Sequence, residues 1–505
     1  MRLACAGAPH LTYCTNIHAG ETWSEVKQSL ETHLLAIWSR AAGGEAGALR
    51  GGGDGSGGGG SGAEGLGPSA RRRCGVGLRL SARAAAELAE PAELDAFRDF
   101  LERNGLYVFT LNGFPYGRFH GAPVKERVYL PDWLDEERLA YSDLLATLLA
   151  ELLPADEGLM GSVSTVPGAF RPRVRTPGDA AAMARRLVEH AAHLVEIRRR
   201  TGKHIALALE PEPCCFLETT PEAIGFFTDH VFAPERAREL SALAGMSLPD
   251  AEEALRSHLG LCFDACHMAV EFEDAPASLA ALRAAGIGVH KVQLSAGLRA
   301  RVAEREPATM ARLRAYAADV VYLHQVVERR GGPGGGELVR YLDLPEALAA
   351  LDGGTAAPPG AEPEEWRVHF HVPIFREIEG ALATTQPELA ALLSHLRDSP
   401  ATQHLEVETY TWDVLPDDQR RGGLVEAVAR ELRWVEERMV GNGSVGVGEG
   451  RGLGEGRGLG ANRGVGGGRE VGGGREIGAS SAGQADSEIG ASSGHRAESR
   501  AGAGR

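Results

Sequence analysis

The chain has 505 residues, 43% of them hydrophobic, with a formal net charge of −16, so it can bury a large core while its acidic body makes nucleic acid and anionic membrane poor partners. No run of about eighteen apolar residues offers a membrane span, and the opening MRLACAGAPHLTYC breaks before a signal-peptide core can form, which leaves the cytoplasm as the default location. Seven cysteines, an odd number without a CxxC pair, read as reduced thiols and exclude a disulfide framework.

Strand and helix signals alternate along the chain, the pattern of a parallel sheet with crossover helices. LTYCTN (11–16) is the first strand and 22–42 an amphipathic helix. The Gly/Ser-rich stretch 43–72 cannot bury enough apolar surface to offset chain entropy and reads as a disordered low-complexity insertion. GVGLRLS (75–81) follows, then helical material to about residue 103, stopped by Asn104-Gly105, and the strand LYVFTLN (106–112). The loop 113–133 is longer and richer in aromatics and Pro than a connector requires, which marks it as functional.

A helix at 135–153, the strand MGSVSTV (160–166), a helix at 178–201, the strand IALALE (205–210), helical segments at 220–257, the strand LGLCFD (259–264), a helix at 276–285 and the strand GVHKVQLS (288–295) continue the rhythm. It then breaks. VVYLHQVVERR and ELVRYLDL, joined by a Gly/Pro-rich turn, read as a hairpin (320–344) inserted over a barrel mouth. A helix at LPEALAAL, the strand RVHFHVPIF, a helix at 387–398, the strand LEVETYTW and a helix at 419–439 complete residues 1–440, and 441–505 reads as a disordered Gly/Arg-rich tail. The expected fold is α/β, a (β/α)8 TIM barrel with an inserted hairpin and Gly-rich disordered segments. Nine candidate strands compete for eight places, and one of them must lie outside the ring.

Four of the strands end on residues with metal-ligand chemistry. Alternation sends Leu207 and Leu209 outward and Glu210 inward, Leu261 and Phe263 outward and Asp264 inward, Val368, Phe370 and Val372 to the apolar side with His369 and His371 on the axis, and Leu405 and Val407 outward with Glu406 and Glu408 inward. Carboxylates gathered on one axis require protons or a divalent cation to balance them, and Mg2+, Mn2+ or Zn2+ suits such a set. Asn16, His18 and Asn112 stand at the strand ends where a barrel meets its substrate. His267 reads equally well as a substrate contact or as a cap, Glu212 as a loop residue or a further carboxylate, and Glu406 as a structural partner within the barrel. Helix-borne His33, His190 and His193 read as surface or packing residues.

The order Glu, Asp-x-x-His, His-x-His-Val and Leu-Glu-x-Glu resembles the xylose isomerase-like superfamily of sugar isomerases and epimerases, and HLTYCTNIHAGETW, YLHQVVER and the strand order across 8–440 resemble EboE-type metabolite traffic proteins. The resemblance implies a divalent metal on Glu210, Asp264, His371 and Glu408, proton exchange by Glu210 and Glu408, and substrate contacts from Asn16, His18, Asn112, His267 and Gln293. It implies an isomerase- or epimerase-like enzyme for a small carbonyl or polyhydroxy metabolite, with that metabolite and other proteins of the same pathway as partners. One position departs from the pattern: GVHKVQLS aims Lys291, Gln293 and Ser295 inward and His290 outward, where the superfamily places a histidine ligand, and Lys291 would bring in a competing positive charge. That departure favours the alternative, a non-catalytic metabolite-binding or traffic protein using the same barrel mouth. A phosphoesterase of the endonuclease IV type would need more histidine ligands and a basic face.

Overall fold

A computed structural model describes residues 1–42, 73–155, 158–331, 336–353, 363–379 and 381–440. The disorder expected for 43–72 and 441–505, and the Gly-rich turn of the expected hairpin, fall outside the described residues.

Eight parallel strands form the barrel: β1 (His10–Tyr13), β2 (Cys74–Arg79), β3 (Leu106–Asn112), β4 (Gly161–Thr165), β5 (Ile205–Leu209), β6 (Leu259–Asp264), β7 (Gly288–Leu294) and, after a long excursion, β14 (His404–Val407). Their order runs β2 to β7 in sequence and then through β14 to β1. The two ends meet at a parallel bridge between Cys14 and Gly77, where Thr12 donates its hydroxyl to Gly75 O and accepts from Gly77 N, each at 3.0 Å. Helices cross between successive strands. The strands read as continuous apolar runs because helices cover one face and packed side chains fill the other, so Leu207, Leu209, Val292 and Leu294 are all fully buried.

The excursion between β7 and β14 builds a second, six-stranded sheet from β8 (Leu298–Arg301), β9 (Val326–Arg330), β10 (Leu338–Tyr341), β11 (Pro363–Val368), β12 (Ile378–Glu379) and β13 (Leu382–Thr384), in the order β10-β9-β11-β8-β13-β12 and with antiparallel pairing. The expected hairpin is β9 with β10. The ninth candidate strand is also settled: RVHFHVP belongs to β11 and its continuation, between β8 and β9 and outside the ring. Its apolar character has a different source from that of the barrel strands, because Trp366 and Phe370 are buried within the inserted layer. No helix among the described residues is long and apolar enough to cross a membrane, and all seven cysteines are free thiols.

Candidate metal and substrate site

The acidic and imidazole groups meet at the C-terminal end of the barrel. Glu210 follows β5 directly, Asp264 closes β6 and caps the helix Ala265–Val270 by accepting from His267 N at 3.0 Å, and Glu408 follows β14. His371 comes from outside the ring. After β11 the chain stays extended toward the barrel axis, held by His369 N to Gln325 O and Val372 N to Ala296 O, each at 2.9 Å. That path brings His371 Nε2 to 4.0 Å from Asp264 Oδ2 and His371 Nδ1 to 4.0 Å from Glu408 Oε2. All four of these side chains are buried.

Their electrostatics reflect crowding without a counter-charge. Burial, and then the carboxylates of Glu408 and Asp264, push Glu210 well above the usual carboxylate range; burial, Asp264 and Glu406 do the same to Glu408. Burial acts on Asp264 in the same sense, but His267, His371 and the hydrogen bonds from Ser295 and His267 N outweigh it and hold Asp264 low. Burial lowers His371 to about 4. Glu210 Oε2, Asp264 Oδ2 and His371 Nε2 are buried with no hydrogen-bond partner. Unpaired buried polar atoms cost about 1–3 kcal/mol each, and ligand atoms of Glu210, Asp264 and His267, and of His267, His369 and His371, lie within 4.8 Å of one another, donor sets that fit a divalent cation.

Asn16 and Asn112 reach this centre from β1 and β3. Both donate to Glu408 Oε1, at 2.6 and 3.1 Å, which fixes that oxygen and leaves Oε2 toward His371. His267 also lines the cavity, its Nδ1 2.8 Å from Pro211 O. Two expected contacts lie elsewhere. His18 packs against Tyr13 OH at 3.0 Å and stacks on His33, because the 3-10 turn Thr15–Ile17 advances about a third of a turn per residue and aims residues two apart in different directions. Gln293 is in register with Asp264 on one side and Glu406 on the other, and is not among the residues that line the cavity. Lys291 does not compete at the metal centre: its ammonium is 2.5 Å from Glu406 Oε2, both fully buried, so the two occupy each other inside the barrel.

A partly enclosed cavity, open at its mouth, lies above the acids. Its upper wall is apolar and aromatic: Phe114, Phe119 and Tyr129 come from the loop 113–133, Tyr322 and Leu323 from the segment leading into β9, and Tyr410 from the turn after β14. Lys125, the cationic side chain on this wall among the described residues, is bound to Asp343 at 2.6 Å. Glu212 is buried, accepting from Tyr129 OH at 2.7 Å and Gln325 Nε2 at 3.0 Å, and so braces the loop against the insertion. The aromatic content of 113–133 signalled this wall in the sequence. Tyr410 and Gln325 carried no such signal, since nothing local brings them to the mouth.

No family model matches the sequence, and no curated protein is significantly similar to it. Among solved structures, the fold matches the probable 3-DHS dehydratase AsbF involved in petrobactin synthesis from Bacillus anthracis, at 11% identity over 71% of this chain and 87% of that one with a TM-score of 0.32. It also matches the IOLI protein with a bound zinc atom, at 13% over 85% and 98% with a TM-score of 0.37, and a xylose isomerase domain protein from Alicyclobacillus acidocaldarius, at 14% over 72% and 88% with a TM-score of 0.32. The barrel assignment rests on the strand order itself.

Proposed function

We propose that this chain is a divalent-metal barrel enzyme of the EboE type, isomerase- or epimerase-like, for a small, uncharged carbonyl or polyhydroxy metabolite of a secondary pathway. The observation that carries the reading is the gathering of buried ligand atoms, those of Glu210, Asp264 and His267 and those of His267, His369 and His371 each lying within 4.8 Å of one another, on the floor of a cavity with an apolar wall. Glu210, Asp264, His371 and Glu408 are the residues that would hold the ion. A divalent cation there supplies Lewis-acid polarisation of a carbonyl or hydroxyl oxygen. Glu210 and Glu408, raised above the usual carboxylate range by burial and by their acidic neighbours, are the carboxylates that would exchange the substrate proton, and the two asparagines orient Glu408 for that task. Lys125, the Lys or Arg that lines the cavity among the described residues, is committed to Asp343, which disfavours a phosphorylated substrate.

Elemental analysis of purified protein, followed by incubation in D2O with a panel of unphosphorylated ketoses and cyclic polyol ketones, tests this. The expected result is near-stoichiometric divalent metal, lost in Asp264→Ala, and deuterium entering a panel member at the carbon beside its carbonyl. Negligible metal in the wild-type protein contradicts the reading. Metal with tight retention of a panel member, and no exchange, supports instead the non-catalytic binder, which the aromatic cover over the cavity favours.

A further inference from the structure

We infer that the cation's ligands are chiefly imidazoles: His267, His369 and His371 gather their ring nitrogens beside Asp264, a set that adds two imidazoles to the ligands named above and selects zinc or a similar borderline cation over magnesium. The inference rests on the metal reading above and specifies it.

Each ring's proton is placed by what its Nδ1 faces. His267 Nδ1 is 2.8 Å from Pro211 O and His371 Nδ1 is 3.0 Å from Glu408 O, and a backbone carbonyl can only accept. His369 Nδ1 is 2.8 Å from Gln325 Oε1. That amide cannot be turned over, because its nitrogen donates to Glu212 Oε1 at 3.0 Å, to Tyr129 OH at 2.8 Å and to Pro213 O at 3.3 Å. All three rings therefore carry a hydrogen on Nδ1, which makes Nε2 the atom each can offer a metal, the arrangement in which carbonyl groups orient metal-binding histidines.

Two of these Nε2 atoms face one another. His267 Nε2 and His369 Nε2 lie 3.1 Å apart, a contact that requires either a proton or a cation between them. The Tyr410 hydroxyl is at 3.4 Å from His369 Nε2, and His371 Nε2 has no partner at all. The three imidazoles offer donor atoms within 4.8 Å of one another. Asp264 joins them through Oδ2, which is unpaired and 3.9 Å from His267 Nε2, while its Oδ1 is taken by Ser295 Oγ at 2.7 Å and by His267 N. Glu408 Oε1 already accepts from two asparagine amides, so only its Oε2 could add to this set. Nitrogen-rich sites suit Zn2+ and its neighbours, whereas Mg2+ takes oxygen.

The test uses the full chain, stripped with a chelator and reloaded with Zn2+ alone, Mg2+ being offered as competitor, with X-ray absorption at the zinc edge as the readout. The expected spectrum contains scattering from two or three imidazoles. His369→Ala and His369→Gln, folded by circular dichroism, should each weaken Zn2+ binding at least about tenfold. If Zn2+ binds and Asp264→Ala abolishes it, yet the spectrum shows at most one imidazole or a sulfur shell and both His369 variants bind as wild type, the imidazole set is overturned while the cation reading stands. If the wild-type chain binds no Zn2+, both fall.

Discussion

Lys291 and Glu406 set the electrostatic floor on which the acidic site is built. Their contact is fully buried, and Glu406 fits only because Gly77 lacks a side chain: a Cβ there would stand 1.7 Å from Glu406 Oε1. Breaking a buried pair leaves an uncompensated charge, at about 3–5 kcal/mol, whereas replacing both partners by apolar groups is often close to neutral. Lys291→Met is therefore expected to destabilise the chain strongly, and Lys291→Met with Glu406→Leu to recover most of the loss, as read by urea denaturation midpoints. Two single losses that simply add in the double variant would show the pair to be uncoupled. Residue-level reading of the sequence went furthest here. Alternation along β7 gave the inward set Lys291, Gln293 and Ser295, because side-chain parity survives in a barrel strand. His18 is expected at the mouth from its place after the first strand, but the 3-10 turn there aims it at Tyr13 and His33.

At the scale of elements, the helix Leu424–Val440 anchors the segments that deliver His371 and Glu408. Glu431 on that helix accepts from Thr409 Oγ1 at 2.7 Å, beside Glu408, and from Ile374 N at 3.1 Å, beyond His371. Burial raises the Glu431 carboxyl from 4.5 to about 7 in the folded chain. Below the unfolded value both states hold the proton, so stability is fully present; between about 4.5 and 7 the unfolded chain ionises first and stability falls. Glu431→Gln keeps an acceptor in place and removes the titration. Chemical denaturation from pH 4 to 8 should show the variant gaining on wild type by a few kcal/mol on the order expected for a shift of this size, and a pH-independent difference would contradict this. The barrel strands were legible as elements because burial on two faces writes a continuous apolar run. β11 writes the same run for another reason, burial within the inserted sheet, so the sequence could not say that it lay outside the ring. β8 and β13 are short and pair with each other across some eighty residues, and β12 is a two-residue edge strand beside β13, which leaves no local period to read.

For the molecule as a whole, the inserted layer and the loop 113–133 close over the barrel mouth as one cover. Val124 N and Lys125 N both donate to Val321 O, at 2.8 and 3.2 Å, and Lys125 binds Asp343. Because a partly exposed ion pair is worth only about 0–1 kcal/mol, Lys125→Ala should leave global stability nearly unchanged. The same variant should speed amide hydrogen exchange in 113–133 and 320–325, and equal exchange in both proteins would show that the pair does not hold the cover. This cover was legible only in part, as an over-long aromatic loop and a hairpin; that the two meet depends on contacts about two hundred residues apart. Everything in the functional account depends on one ion among Glu210, Asp264 and the imidazoles beneath that cover. Anomalous diffraction from crystals of the protein as purified tests this most directly: a peak at bonding distance, about 2.0–2.2 Å, from Asp264 Oδ2 and His371 Nε2 is the predicted result, and a map with no anomalous density at these atoms after soaking with Zn2+ would contradict it.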